Sequence, residues 1–313
     1  MFVYIVRRLA GMMVVMLIVA AVVFVIARVV PGDPAAVMLG ASATPEDIAA
    51  LRTRLGLDEP LLAQFLLYLG QIARFDLGDS IFLNRPVIQA LAERSELTGL
   101  LTLMSVGIAV LIGVPVGILS AAKRGRWVDQ TALGLAMLAA SVPSFWIGLT
   151  LIKYLAVDLT WFPVAGYGAP DASLGERLRH LVLPAIALGI PNSALILRFT
   201  RTSMLDVLGD DYVRTARAKG LPPRVVVLKH ALRNAMIPIL TVIGLTAAVM
   251  IAGAIVTETV FGLPGVGNLI VSAVLRRDYP VIQGALLVVS AIYVLINLTV
   301  DLLYAVVDPR VRY

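Results

Sequence analysis

Residues 210–238 read DDYVRTARAKGLPPRVVVLKHALRNAMIP, a basic, polar island set between two apolar runs at about 181–204 and 236–260. Asp210 and Asp211 suit the start of a helix, where carboxylates complement the positive end of the dipole. Val213, Ala216 and Arg217 follow at helical spacing. Gly220 can take the left-handed conformation that closes a helix at C′. Pro222 and Pro223 fit the first turn of a second helix through Val225, Leu228, Ala231 and Leu232. The island therefore predicts a short helix, a tight glycine turn and a second helix joining two long apolar segments.

The rest of the chain explains why the flanking segments are apolar. Of 313 residues, 59% are hydrophobic and 15% charged, and the mean hydropathy is +0.92. A soluble domain of this size needs more polar surface. The apolar residues collect into six runs, about 9–30, 97–120, 131–157, 181–204, 236–260 and 283–306. Each reaches the roughly twenty residues that cross a hydrocarbon core of about 30 Å. The first follows Arg7 and Arg8 and is too long for a cleaved secretory signal, so it reads as an uncleaved first span. Pro143, Pro184 and Pro191 fall inside the third and fourth runs, where a helical bundle tolerates them. Gly107, Gly113 and Gly117, and later Gly244, Ala247, Ala248 and Gly253, let helix backbones approach closely. The fold class expected is an all-α integral membrane protein with six transmembrane helices.

Basic residues orient the spans. One side carries Arg7 and Arg8, then Lys123, Arg124 and Arg126, then Arg201 through Arg233, then Arg310 and Arg312. In the long 31–96 loop acidic residues such as Glu46, Asp47, Asp58, Glu59, Asp76, Asp79, Glu93 and Glu96 outnumber the basic ones. Both termini are then cytoplasmic, and the net charge of +6 is a topology signal rather than a nucleic-acid patch. The organisation expected is a first span with an outer loop carrying short helices (1–96), a five-helix core (97–306) holding a cytoplasmic segment at 206–237, and a cytoplasmic tail (307–313). In the outer loop, Thr44-Pro45-Glu46-Asp47 is an N-cap with an N1 proline and an acidic first turn, opening a helix to about Leu55 that stops at Gly56. Leu61 to Ile72 is apolar at helical spacing and suits a second helix on the membrane surface.

With these pieces in place, 210–238 resembles the cytoplasmic loop of bacterial ABC importer permeases, whose pattern is EAA, three residues, Gly, then a later Ile-x-Leu-Pro. Gly220 occupies the glycine, Ala216 the second alanine and Ile237-Pro238 the end, while Arg214 and Thr215 depart from the pattern. The form TARAKG followed by LKHALRNAMIP is similar to the dipeptide, oligopeptide, nickel and glutathione branch. So are Val30-Pro31-Gly32-Asp33-Pro34, Leu55-Gly56-Leu57-Asp58-Glu59-Pro60-Leu61, Phe75-Asp76-Leu77-Gly78-Asp79-Ser80, Phe261-Gly262-Leu263-Pro264-Gly265-Val266-Gly267 and Arg277-Asp278-Tyr279-Pro280-Val281-Ile282. The resemblance implies a type I ABC importer permease fold in the bacterial inner membrane. It also implies a homologous second permease as heterodimer partner, two ABC ATPase subunits holding ATP and magnesium, and an extracytoplasmic substrate-binding protein. Asp211, Tyr212, Val213, Arg214, Ala216, Arg217 and Gly220 are then the ATPase-coupling residues.

The chain has no chemistry of its own to set against this. No GxxxxGK[ST] loop occurs to cradle nucleotide phosphates, and no HExxH or GxSxG motif is present. Cysteine is absent, and His180 and His230 fall on opposite faces in this topology, which leaves no metal pair. Neither catalytic residues nor a cofactor bound by this chain are expected. Ser141, Pro143 and Ser144, with Asn192 and Ser193, are the candidates for lining a wet route, because prolines free carbonyls that Ser and Asn can face. Their other reading is to re-satisfy those carbonyls. Among intramembrane charges, Arg28, Lys153 and Asp301 suit snorkelling at helix ends, while Glu258, just before the Phe261–Gly267 turn, is a candidate for the outer mouth. Cargo is expected to be a di- or oligopeptide, with glutathione or a nickel chelate as alternatives. A self-sufficient secondary transporter would need inverted repeats or a membrane-central acid, and an intramembrane enzyme would need paired aspartates or a Ser/His pair.

Overall fold

The computed structural model describes residues 2–29, 34–39, 43–54, 56–169 and 171–307. Val30, Pro31, Gly32 and Asp33, Leu55, and the tail from 308 with Arg310 and Arg312 lie outside the described residues. In chain order the helices are α1 (Phe2–Val29), α2 (Pro34–Leu39), α3 (Pro45–Arg54), α4 (Leu61–Ala73), α5 (Val87–Ala122), α6 (Trp127–Ser141) and α7 (Ser144–Leu151). A π-helical turn, Ile152–Asp158, extends α7. Then come α8 (Leu174–Leu208), α9 (Asp211–Ala218) and α10 (Pro223–Val225), and a second π-turn, Val226–Ala231, leads into α11 (Leu232–Val260). The series ends with α12 (Val266–Arg276) and α13 (Tyr279–Val307). No strand occurs among the described residues.

Among the described residues, five helical stretches are long and apolar enough to cross a membrane: Val6–Ile26, Val87–Ala122, Leu174–Leu208, Pro223–Val260 and Tyr279–Tyr304. A sixth crossing is made only if α6 and the α7 segment through Asp158 count together, because they meet at 92°. This corrects the expectation of one helix over 131–157. Val142 is extended (φ −91°, ψ 125°), as a residue before proline prefers, and Pro143 restarts the chain as the N-cap of α7. Pro184 and Pro191, by contrast, sit inside a continuous α8. Beside Pro191 the side chains of Asn192 and Ser193 donate to the Leu188 and Ile190 carbonyls of the same helix at 2.8 and 2.7 Å. The helix predicted through Val225–Leu232 is also not separate: it runs through the second π-turn into the span that follows.

The chain divides into two compact units, Met1–Glu96 with Asn268–Val294, and Leu97–Gly267 with Leu295–Tyr313. In the first, α4 is clasped to the C-terminal end of α1. The Phe24 ring meets Phe65 edge-on at 5.2 Å, and the Arg28 guanidinium lies 3.6 Å above Phe24 while donating to Gln64 Oε1 at 3.0 Å. Gln64 in turn donates to the Leu57 and Glu59 carbonyls. The loop before α5 is held by Asp278, which is buried and accepts from the Ser80 hydroxyl at 2.6 Å.

In the second unit, small residues let α5 and α8 approach. A Cβ on Gly113 would lie 2.8 Å from Ile196, one on Gly117 2.7 Å from Thr200, and one on Gly189 2.9 Å from the Ser105 carbonyl. Around this contact the side chains of Leu101, Leu181, Leu183, Leu188, Ile196 and Met250 form a buried core. Gly253 packs on Leu188, and Gly244 on Val300.

At the start of α3, Thr44 and Asp47 cap each other. The Thr44 hydroxyl donates to Asp47 Oδ2 at 2.7 Å, and the Asp47 amide donates back to Thr44 Oγ1 at 3.2 Å. The Thr44 hydroxyl and amide hold the Asp47 carboxyl below the ordinary aspartate range. A depressed native pKa means the cap stabilises α3 above the ordinary value and is lost as acid protonates the carboxylate. NMR titration of Asp47 should therefore give a midpoint below that of an unperturbed aspartate, rising towards it in Thr44→Val. Between α5 and α8, Gly117→Val should cost about 1–3 kcal/mol in the thermal stability of the detergent-solubilised protein. Gly107→Ala, where an added Cβ meets nothing within 4 Å, should change it by less than about 0.5 kcal/mol.

Candidate functional site

Helix α9 is short, eight residues, and its two faces differ completely. Val213 and Ala216 are buried with Val226 of the π-turn and Leu208 at the end of α8. Asp211, Tyr212, Arg214 and Arg217 are exposed, Arg214 with 74% of its side chain open. The Arg214–Asp211 contact, 3.4 Å between exposed groups, adds little. The apolar stripe thus fixes α9 to the helix ends on either side of it, and its charged face is left for something else.

The turn after α9 is a Schellman motif. The Gly220 amide donates to the Arg217 carbonyl at 2.9 Å, and the Leu221 amide to the Ala216 carbonyl at 3.4 Å. Gly220 has φ +75°, and nothing lies within 4 Å of a Cβ placed on it. What this position demands is the left-handed backbone, not space. Pro222 and Pro223 then start α10 as their fixed φ favours.

Tyr212 is anchored in both directions. Its hydroxyl accepts from Asn234 Nδ2 at 2.6 Å and donates to the His230 carbonyl at 3.4 Å. His230 lies in the π-turn and Asn234 in the first turn of α11, so the tyrosine hydroxyl links α9 to the start of that span. π-turns concentrate at functional sites because they widen the helix locally and leave it easier to reshape.

A buried ion pair that the sequence reading did not single out lies close to the end of α8. Arg201 donates through Nε and Nη2 to the two carboxylate oxygens of Asp129, at 2.7 and 2.8 Å. The Ser120 hydroxyl and the Gly125 amide also donate to Asp129, which is 3% exposed. This cluster joins the end of α5, the 123–126 turn, the start of α6 and α8. The only signal in the sequence was an aspartate in a run otherwise poor in acids, and its arginine lies 72 positions away.

The proposed route residues are spread out. The hydroxyl of Ser141 donates to the Met137 carbonyl, and Asn192 and Ser193 bond within α8. No hydrogen bond joins the 141–144 pair of serines to 192–193 among the described residues. Glu258 is fully buried. It accepts from the Thr98 hydroxyl at 2.6 Å, and Thr98 accepts from the Val266 amide at 2.9 Å. The Phe261–Gly267 turn folds over the carboxylate so closely that a Cβ on Gly265 would run into it.

The chain matches the family model "Binding-protein-dependent transport system inner membrane component" over residues 113–313 and that family's N-terminal model over residues 1–98. It is 45% identical over 311 residues to a probable peptide ABC transporter permease of Sinorhizobium fredii, covering 99% of each chain. It is 44% identical over 310 residues to the glutathione transport system permease GsiC of Salmonella choleraesuis, again covering 99% of each. Its fold is similar to a chain of the methionine ABC transporter MetNI solved in an inward-facing conformation. There the TM-score is 0.58 at 18% identity, covering 71% of this chain and 97% of that one.

Removing Asp129 leaves the part-buried Arg201 charged and without its bidentate partner. Asp129→Leu should therefore lower unfolding stability by about 3–5 kcal/mol, with most of the loss recovered in the double variant Asp129→Leu/Arg201→Met. Thermal melts of the three proteins in one detergent measure both quantities.

Proposed function

The chain belongs to the family of binding-protein-dependent transport system inner membrane components, and from that membership we propose how its parts divide the work of transport. It is a multi-pass inner-membrane protein, a permease subunit of an ABC transporter. In the proposed assembly it forms half of a pathway with a homologous second permease. Two ATPase subunits, which hold the ATP and magnesium, drive it from the cytoplasmic side, where both termini lie. An extracytoplasmic binding protein delivers the cargo. Peptide and glutathione permeases among the relatives favour a peptide-like cargo.

The observation that carries the mechanical part is the two-faced α9. Its Val213–Ala216 stripe is locked to the ends of α8 and the π-turn, its turn is set by Gly220, and Tyr212 ties it to Asn234 at the root of α11. Asp211, Arg214 and Arg217 are presented to the ATPase, whose closure moves α9 as a rigid body. The motion reaches α8 through Gly209 and α11 through Tyr212 and the π-turn. Ser141, Pro143, Ser144, Asn192 and Ser193 lie along the route, and Glu258 braces its outer end. In alternating access the 92° break at Val142-Pro143 is a natural place for the third crossing to bend further.

In proteoliposomes with both ATPases and the second permease, Gly220→Val should insert normally. It should cut uptake at least about ten-fold, because a β-branched residue at positive φ costs enough to displace the turn. Normal uptake by this variant would refute the assignment. The chain has no cysteine, so Arg214→Cys places a single thiol on α9. It should cross-link to the nucleotide-hydrolysing subunit, and failure to do so in the intact assembly would count against the docking.

A further inference from the structure

The connection between α5 and α6 is only residues 123–126, running from Ala122 at the end of one candidate span to Trp127 at the start of the next. The apolar run within α5 ends at about residue 120, so a connection of four residues keeps the turn close to that membrane face, whichever side it is. Three of the four are basic, Lys123, Arg124 and Arg126, and all three side chains are exposed. None of these three side chains has a hydrogen-bond or ion-pair partner among the described residues. The nearby acid, Asp129, is spent on Arg201, Ser120 and Gly125.

The turn is also built rather than loose. Its backbone is wound by bonds from Lys123 to Leu119, Arg124 to Ala121 and Arg126 to Lys123. Gly125 takes φ +74°, and its amide is pinned at 2.9 Å to the buried Asp129 carboxylate. Immediately after it the Trp127 ring is 74% exposed. An indole belongs at the boundary of headgroups and acyl chains, where its apolar ring and N–H are both served. Three uncompensated cations on a fixed turn beside an interfacial tryptophan make a receptor for phosphate diesters held in a membrane plane.

We propose that residues 123–127 bind the phosphate headgroup of anionic phospholipid, with Lys123, Arg124 and Arg126 as the cationic ligands, Trp127 as the interfacial anchor, and Asp129 as the positioning residue that shapes the turn. This does not depend on what the protein transports. Each surface cation near anionic lipid is worth about a five-fold factor, so three reach on the order of a hundred-fold preference.

The test is native mass spectrometry of the full chain in micelles containing phosphatidylglycerol and phosphatidylcholine in equal amounts. Wild type should retain phosphatidylglycerol preferentially, and the preference should weaken with added salt, since the site is exposed. The variant K123Q/R124Q/R126Q should lose at least ten-fold of that preference. The charge-conserving K123R/R124K/R126K should keep it, as should K219Q/R224Q, which neutralises exposed cations of the α9–α10 segment. Equal retention of the two lipids by wild type, or unchanged preference in the neutralised variant, overturns the proposal and leaves the charges to orientation alone. Full displacement of the lipid by millimolar inorganic phosphate overturns it too, since that marks a site for a soluble anion. Should the neutralised variant fail to insert, the salt dependence in wild type and the charge-conserving variant still decide.

Discussion

A peptide group in hydrocarbon has no water to bond, so each N–H and C=O must find a partner within the protein. This one constraint explains the architecture and its exceptions. It makes every crossing helical, and it requires each interruption to be repaired locally. At Pro191 α8 stays continuous, and the neighbouring Asn192 and Ser193 side chains bond to the Leu188 and Ile190 carbonyls of the same helix. At Pro143 the helix is broken instead, leaving a 92° bend with Ser141 bonded back to Met137. The two π-turns, Ile152–Asp158 and Val226–Ala231, are the same bargain in another form: the backbone stays bonded while its register shifts.

Where lipid surrounds a helix, helix contacts cannot be driven by expelling water from apolar surface, so close packing takes over. The α5–α8 contact through Gly113, Gly117 and Gly189 works this way. The buried carboxylates of the same unit are held by several hydrogen-bond donors or a close-fitting turn. Asp129 accepts from three groups, one of them a bidentate arginine. Glu258 is covered by the Phe261–Gly267 turn and bonded by Thr98. In each case the carboxyl group organises the chain around it: the 123–126 turn in the first, the glycine-rich turn in the second.

Helix α9 is governed by a different balance. Eight residues are too few to be helical in water unaided, and the buried Val213–Ala216 stripe, the Schellman turn and the Tyr212–Asn234 bond make up the deficit. The helix is thus tied at once to α8, the π-turn and α11.

Much of this was legible along the chain, because the decisive physics is local. Length and hydropathy identify spans through the rise per residue alone. The Thr44–Asp47 cap, the Gly220 turn and the proline start of α10 follow from the backbone preferences of single residue types. The alternation of Val213 and Ala216 with Arg214 and Arg217 states which face of α9 is buried. What the sequence could not decide was pairing at a distance and the choice among outcomes open to one residue type. Asp129 with Arg201, Thr98 with Glu258 and Ser80 with Asp278 lie 72, 160 and 198 positions apart, and no periodicity links them. Pro143 and Pro191 read alike, yet one breaks its helix and the other does not. Likewise Gly107 faces open space while Gly117 meets Thr200. Those differences depend on which neighbours the folded chain brings near, so only the tertiary structure decided them.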